Sequence, residues 1–167
     1  MASRRRRKVL RESEEIARFR RVEFHKNQPH RRGLPDHEVL DELYGYPLGR
    51  LLKRREINQR QFRAGEDWVA VVLEYNSIMG LPDLAGRRPS GRSTNGEPDQ
   101  AKIQKAREKY DQAIHALMST VRGRWPLIVC KQVCIQQHEI IESQLADLRA
   151  GLDSLAGCFG ILTGEAA

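Results

Sequence analysis

Apolar residues recur at intervals of three and four along almost the whole of this chain, and no stretch alternates with period two. That spacing builds amphipathic helices and leaves no half-buried strand, so the sequence predicts an all-α protein, a small helical bundle. Its stripes are Val39, Leu40, Leu43 and Tyr44; Leu48, Leu51 and Leu52; and Phe62, Val69, Val72 and Met79, with Trp68 and Tyr75 beside them. Further on come Ile103, Ala106, Tyr110, Ala113, Ile114, Leu117, Met118 and Val121, and finally Ile141, Leu145, Leu148, Leu152, Leu155 and Phe159. Between these last two, Leu127–Ile135 is apolar almost all round, which places that short helix at the centre of the core.

Punctuation residues set the expected boundaries. Asp36 is positioned to cap the first helix of the body, which Gly45 and Pro47 end. Asn58 and Gln61 form a capping box, with Ile57 and Phe62 as a hydrophobic staple across it. Gly80 and Pro82 stop that helix, Asp99 caps the next, and Gly123 stops it. Trp125-Pro126 opens the following helix, with proline in the first turn where its missing donor costs nothing. Gly160 followed by Ile161 closes the last one. The resulting division is a basic flexible arm over 1–33, a helical block over 34–80, a disordered linker over 81–100, a second block over 101–161 and a tail over 162–167. Within the arm a helix over 9–24 is expected, marginal when isolated.

Charge is concentrated at the start of the chain. Residues 1–32 hold twelve Lys/Arg and four acids, a surplus of eight, while the whole chain carries +7, so 33–167 sum to −1. A basic arm on a nearly neutral body fits a polyanionic partner, nucleic acid first among them. Arg4, Arg5, Arg6, Arg7 and Lys8 are the expected phosphate contacts, acting by counterion release without base specificity. In a eukaryotic host the same run also reads as a nuclear import signal. The N-terminus has no apolar signal-peptide core, and no apolar run reaches the roughly 20 residues of a membrane helix, so a cytoplasmic location in a bacterial host and no membrane contact are expected.

A second basic cluster lies in 48–66. A short helix, a four-residue turn and a capped longer helix match helix-turn-helix spacing. Arg50, Lys53, Arg54, Arg55, Arg60 and Arg63 crowd into it, and Gln59, Gln61 and Arg63 fall in the first turns of the second helix. There glutamine can pair with adenine and arginine with guanine. The alternative is an ordinary helical hairpin with a charged outside.

Catalytic and metal chemistry find little footing. No nucleophile elbow, P-loop, HExxH or glycine fingerprint is present, so the chain reads as a non-enzyme without cofactors. Cys130, Cys134 and His138 share a stripe at i, i+4 and i+8, but the outer two are about 12 Å apart along a helix, too far for one ion. The cysteines read as small core hydrophobes.

Two segments carry a family likeness. PLGRLLKRREINQRQFRAGEDW (47–68) and DLRAGLDSLAGCFGI (147–161) resemble stretches of small, uncharacterised helix-turn-helix-like helical proteins of alphaproteobacteria and their phages. The resemblance implies a regulator of bacterial or phage origin, and the basic arm is not part of its pattern. The resulting expectation is a DNA-binding protein, a phage or prophage-like transcription regulator, forming a homo-oligomer. The alternatives are a helical oligomeric phage assembly or genome-packaging protein, and an adaptor that binds RNA polymerase or another protein.

Overall fold

The computed structural model describes residues 2–81 and 99–162, with side chains from residue 14 onward. The linker and tail expected over 81–100 and 162–167 lie, apart from their outermost residues, outside the described residues, as do the side chains of Arg4–Lys8. Among the described residues seven α-helices follow in order: α1 (Ala2–Lys26), α2 (Asp36–Val39), α3 (Pro47–Lys53), α4 (Gln59–Ile78), α5 (Gln100–Met118), α6 (Trp125–Cys130) and α7 (Leu145–Cys158). Single 3₁₀ turns lie at Pro29–Arg31, Glu42–Gly45 and Glu142–Gln144, and a π turn at Lys131–Ile135 prolongs α6. No strand occurs among the described residues, so the all-α expectation holds.

The core is formed where α4, α5, α6 and α7 pack together, with α3 laid against α4. Trp68, Leu117, Leu148, Leu152 and Leu155 are fully buried, and Leu48 and Leu51 join them from α3. The α6 segment is central, as its apolar run predicts: Val129, Cys130, Val133, Cys134 and Ile135 are all buried. Gly151 lets α7 approach it closely, since a Cβ there would sit 2.6 Å from Cys130 Sγ and 3.1 Å from Pro126 Cβ. Trp68 stacks on Tyr110 at 5.7 Å, and Tyr110 on Tyr75 at 4.3 Å, which joins α4 to α5 through three aromatic rings.

The local signals around α4 are realised as read. Asn58 Oδ1 accepts from Gln61 N at 2.8 Å, and Gln61 Oε1 accepts from Asn58 N at 3.0 Å. Such a cap contributes about 1 kcal/mol. At the far end Gly80 has φ +65°, and Leu81 N donates to Asn76 O at 2.9 Å, the six-to-one bond of a Schellman close. Gly160 and Ile161 close α7 in the same way, with Ile161 N on Ala156 O at 2.9 Å.

Other boundaries differ from expectation. Asp36 is the first helical residue rather than the cap, and its carboxylate turns to Lys26 Nζ at 2.7 Å. The helix expected through Tyr44 breaks after Val39. Arg31 Nη1 donates to the carbonyls of Val39 and Asp41, taking acceptors a longer helix would have used, and Asp41 caps the next turn by accepting from Leu43 N at 2.9 Å. Helix α5 stops at Met118, where Ser119 Oγ donates to His115 O at 2.7 Å and Thr120 Oγ1 to Leu117 O at 3.3 Å. Such bonds from hydroxyls to nearby carbonyls compete with continuation of the helix. Val121 therefore leaves the apolar stripe and is entirely exposed. Ile141 likewise precedes α7 and is exposed.

One turn stores strain. Arg55 closes α3 with φ +60°, donating its N–H to Leu52 O at 2.9 Å while Glu56 N reaches Leu51 O at 2.9 Å. This left-handed position suits glycine, and a side chain there costs about 1–2 kcal/mol. Arg55→Gly is expected to stabilise the fold by up to about 1 kcal/mol, raising Tm by about 2–4 °C in thermal denaturation. A lowered Tm would show that the arginine side chain contributes more than its backbone strain removes.

Candidate nucleic-acid interface

The longest uninterrupted element carries the densest charge. Between Ala2 and Lys26 there is no glycine or proline, and straight-chain Arg, Glu and Lys dominate, so helix propensity is high throughout. The result is one helix of 25 residues, about 37 Å long, which extends beyond the expected 9–24 at both ends. Positions 4, 7, 11 and 18, all arginine, fall on one face at helical spacing. Residues 14–21 are all exposed. The helix meets the rest of the fold at its last turns, where Val22 is buried and Lys26 binds Asp36.

The connection to the body is held by two arginines that are not available to a ligand. Arg31 is buried on the carbonyls of Val39 and Asp41. Arg50, one of the residues expected at the DNA, is also buried, with its side chain 6% exposed. Its Nη1 donates to Tyr44 O at 2.9 Å and its Nη2 to Glu139 Oε1, a carboxylate 89 residues further along the chain. Removing either arginine would leave carbonyls without partners, and Arg50 serves as an internal cross-brace rather than a phosphate contact.

His30 precedes Arg31 in the Pro29–Arg31 turn and is largely exposed. Partial desolvation, then the charges of Arg50 and Arg31, lower its pKa from the ordinary histidine value, with His25 adding to the effect and Glu139 opposing it. A depressed histidine stabilises the fold above its unfolded pKa of about 6.5 and withdraws that contribution as pH falls through the folded value. A small decline in Tm is therefore expected as pH falls through about 6.5, with His30→Asn flattening it. An identical slope in the variant would assign the decline to other groups.

The 48–66 unit has the expected helix, turn and helix, yet its chemistry is divided. Gln61, expected at a base edge, is buried. Its Oε1 is spent on the capping box, and its Nε2 donates to Asp153 Oδ2 of α7 at 3.1 Å. Arg60 is half-buried, donating from Nε to Ile161 O at 3.0 Å with Nη1 3.5 Å from Asp153. Lys53 pairs with Asp41 and lies 6.0 Å from the Tyr44 ring centroid. Packing of α7 across the start of α4 thus removes Gln61 and Arg60 from any groove-reading surface. Arg54, Arg55, Gln59 and Arg63 remain exposed.

The thiol stripe resolves into core. Cys130 and Cys134 are buried, the first held well above the ordinary thiol range by burial and the second pushed up to about 12 by burial and Glu66. His138 falls beyond the π turn and is exposed. Among the described residues no three His, Cys, Asp or Glu side chains converge on a metal position.

Sequence reasoning did not single out the turn over Ser119–Trp125. Arg122 and Arg124 are exposed there, beside an exposed Trp125. Neither a protein-family model, nor a curated protein, nor a solved structure matches this chain.

Proposed function

We propose that this chain binds duplex DNA through α1 and acts as a transcription regulator of phage or prophage-like type. One observation carries the reading: an unbroken helix that keeps residues 14–21 clear of the body and holds arginine at 4, 7, 11 and 18 on one face. A continuous basic helix fits the major groove, about 12 Å wide, and lines its charge along the phosphates. Arg54, Arg55 and Arg63 are further exposed cations on the body. With Gln61 buried and Arg60 held by Ile161 and Asp153, the first turn of α4 is assigned to positioning rather than to base reading.

The test is the salt dependence of binding to a fluorescent duplex, for the full chain and for the variant Arg4→Gln/Arg7→Gln/Arg11→Gln/Arg18→Gln. Each phosphate that a bound cation neutralises adds about 0.9 to the slope of log K against log salt, so replacing four such arginines flattens it by about 3.6. An unchanged slope would exclude α1 as the DNA-binding element. A second reading, the oligomeric assembly or packaging protein, is favoured by Ile16, Phe19 and Phe24, which are exposed on α1. Sedimentation to a defined ring or higher oligomer that α1 substitutions disperse would favour it.

A further inference from the structure

We propose that the turn between α5 and α6 is a stacking platform for the unpaired bases of a single-stranded nucleic acid, with Trp125 as the stacking surface and Arg124 beside it for the backbone phosphate. This inference rests on the DNA-binding reading and names a second class of strand for it.

The turn is held rigid from several sides. Gly123 has φ +65°, its N–H donates to Thr120 O at 2.9 Å, and the single Thr120 hydroxyl proton is shared between Leu117 O and Gly123 O at 3.3 and 3.2 Å. Arg122 Nε is paired with Asp147 of α7, which fastens the turn to the last helix and neutralises the acid in the adjoining groove. A loop fixed in this way loses little freedom on binding.

What it presents is unlike the rest of the surface. Trp125 is 56% exposed, whereas Trp68, the other tryptophan, is 1% exposed. Val121 stands fully exposed at the tip. Arg124 is exposed and forms no ion pair among the described residues. Next to Trp125 runs an open groove of about 550 Å³, whose floor includes Val129 and whose wall offers the polar side chains of Ser143 and Gln144. A flat aromatic surface, an adjacent guanidinium and side-chain amide and hydroxyl groups at the edge are the parts that unpaired bases use. A duplex keeps its base faces stacked internally and does not offer them.

The experiment is a titration of the full chain with oligo-dT and, separately, with a fluorescent duplex, following tryptophan emission and anisotropy. Oligo-dT is expected to quench the exposed tryptophan's emission to saturation while the buried one stays unchanged. Trp125→Ala is expected to weaken oligo-dT binding by about tenfold and leave duplex affinity within about twofold, since the substitution removes one stacked base and leaves every phosphate-binding cation in place. Trp125→Phe retains a ring and is expected to restore most of the affinity, which separates stacking from a folding defect. Duplex binding without quenching by oligo-dT would overturn the platform and leave the α1 reading standing. Failure of both strands to bind would overturn both. Emission that shifts with protein concentration alone, and not with oligo-dT, would assign the surface to self-association and overturn the proposal.

Discussion

Trp68→Ala is expected to cost about 3–5 kcal/mol, a large share of the roughly 5–15 kcal/mol that holds a domain together. The side chain is fully buried between α4 and α5 and supports the stacked rings of Tyr110 and Tyr75, so its removal opens a cavity and loosens two aromatic pairings. Trp68→Phe is expected to cost much less. Trp68 Nε1 has no hydrogen-bond partner among the described residues, and phenylalanine removes that buried donor together with part of the volume. Urea denaturation of both variants gives the comparison. An alanine variant within about 1 kcal/mol of the parent would mean that the core refills the site or that α5 does not pack there.

The second large effect comes from a much smaller residue. A Cβ on Gly49 would lie 2.1 Å from Leu43 O, 2.8 Å from its carbonyl carbon and 2.9 Å from its Cα. The obstacle is backbone, so no rotamer change relieves it, and α3 must separate from the 42–45 turn. Gly49→Ala is expected to destabilise by about 3 kcal/mol or more, at or beyond the upper end of ordinary overpacking, despite the roughly 1 kcal/mol that alanine gains in helix propensity. Gly65→Ala supplies the contrast, because its nearest obstacle at 2.5 Å is Leu48 Cδ2, the end of a side chain that can turn away. Hydrogen exchange over residues 36–46 is expected to quicken in the Gly49 variant first. Equal Tm values for the two variants would disprove the backbone argument.

The chain is legible from its sequence wherever the physics is local. The Asn58–Gln61 box, the glycine closes at 80 and 160, the Asp99 cap and the central run through Cys134 all depend on residues a few positions apart. Asp36 does not serve as a cap because its ion partner, Lys26, lies in the preceding helix. Arg50 and Gln61 escape a sequence reading for the same kind of reason at longer range. Both look like surface groups in a basic segment, and only the return of Glu139 and Asp153 in space turns them inward. The helix expected over 9–24 is marginal if it must hold alone. Its composition nonetheless supports a helix from Ala2 onward, and its last turn is anchored by Val22 and Lys26. Of the expected nucleic-acid residues on the body, those that stay exposed are the ones with no long-range partner, which periodicity alone does not reveal.

The three ties that reach from α3 and α4 to Glu139, Asp153 and Ile161 also set an order of events during synthesis. Gln61 and its acceptor Asp153 are separated by 92 residues, about 5 to 18 s of translation at ordinary rates. Throughout that interval Gln61 Nε2 and Arg60 are without their native acceptors, while the Asn58–Gln61 box can already form. The start of α4 is therefore finished late, by the segment that folds back across it.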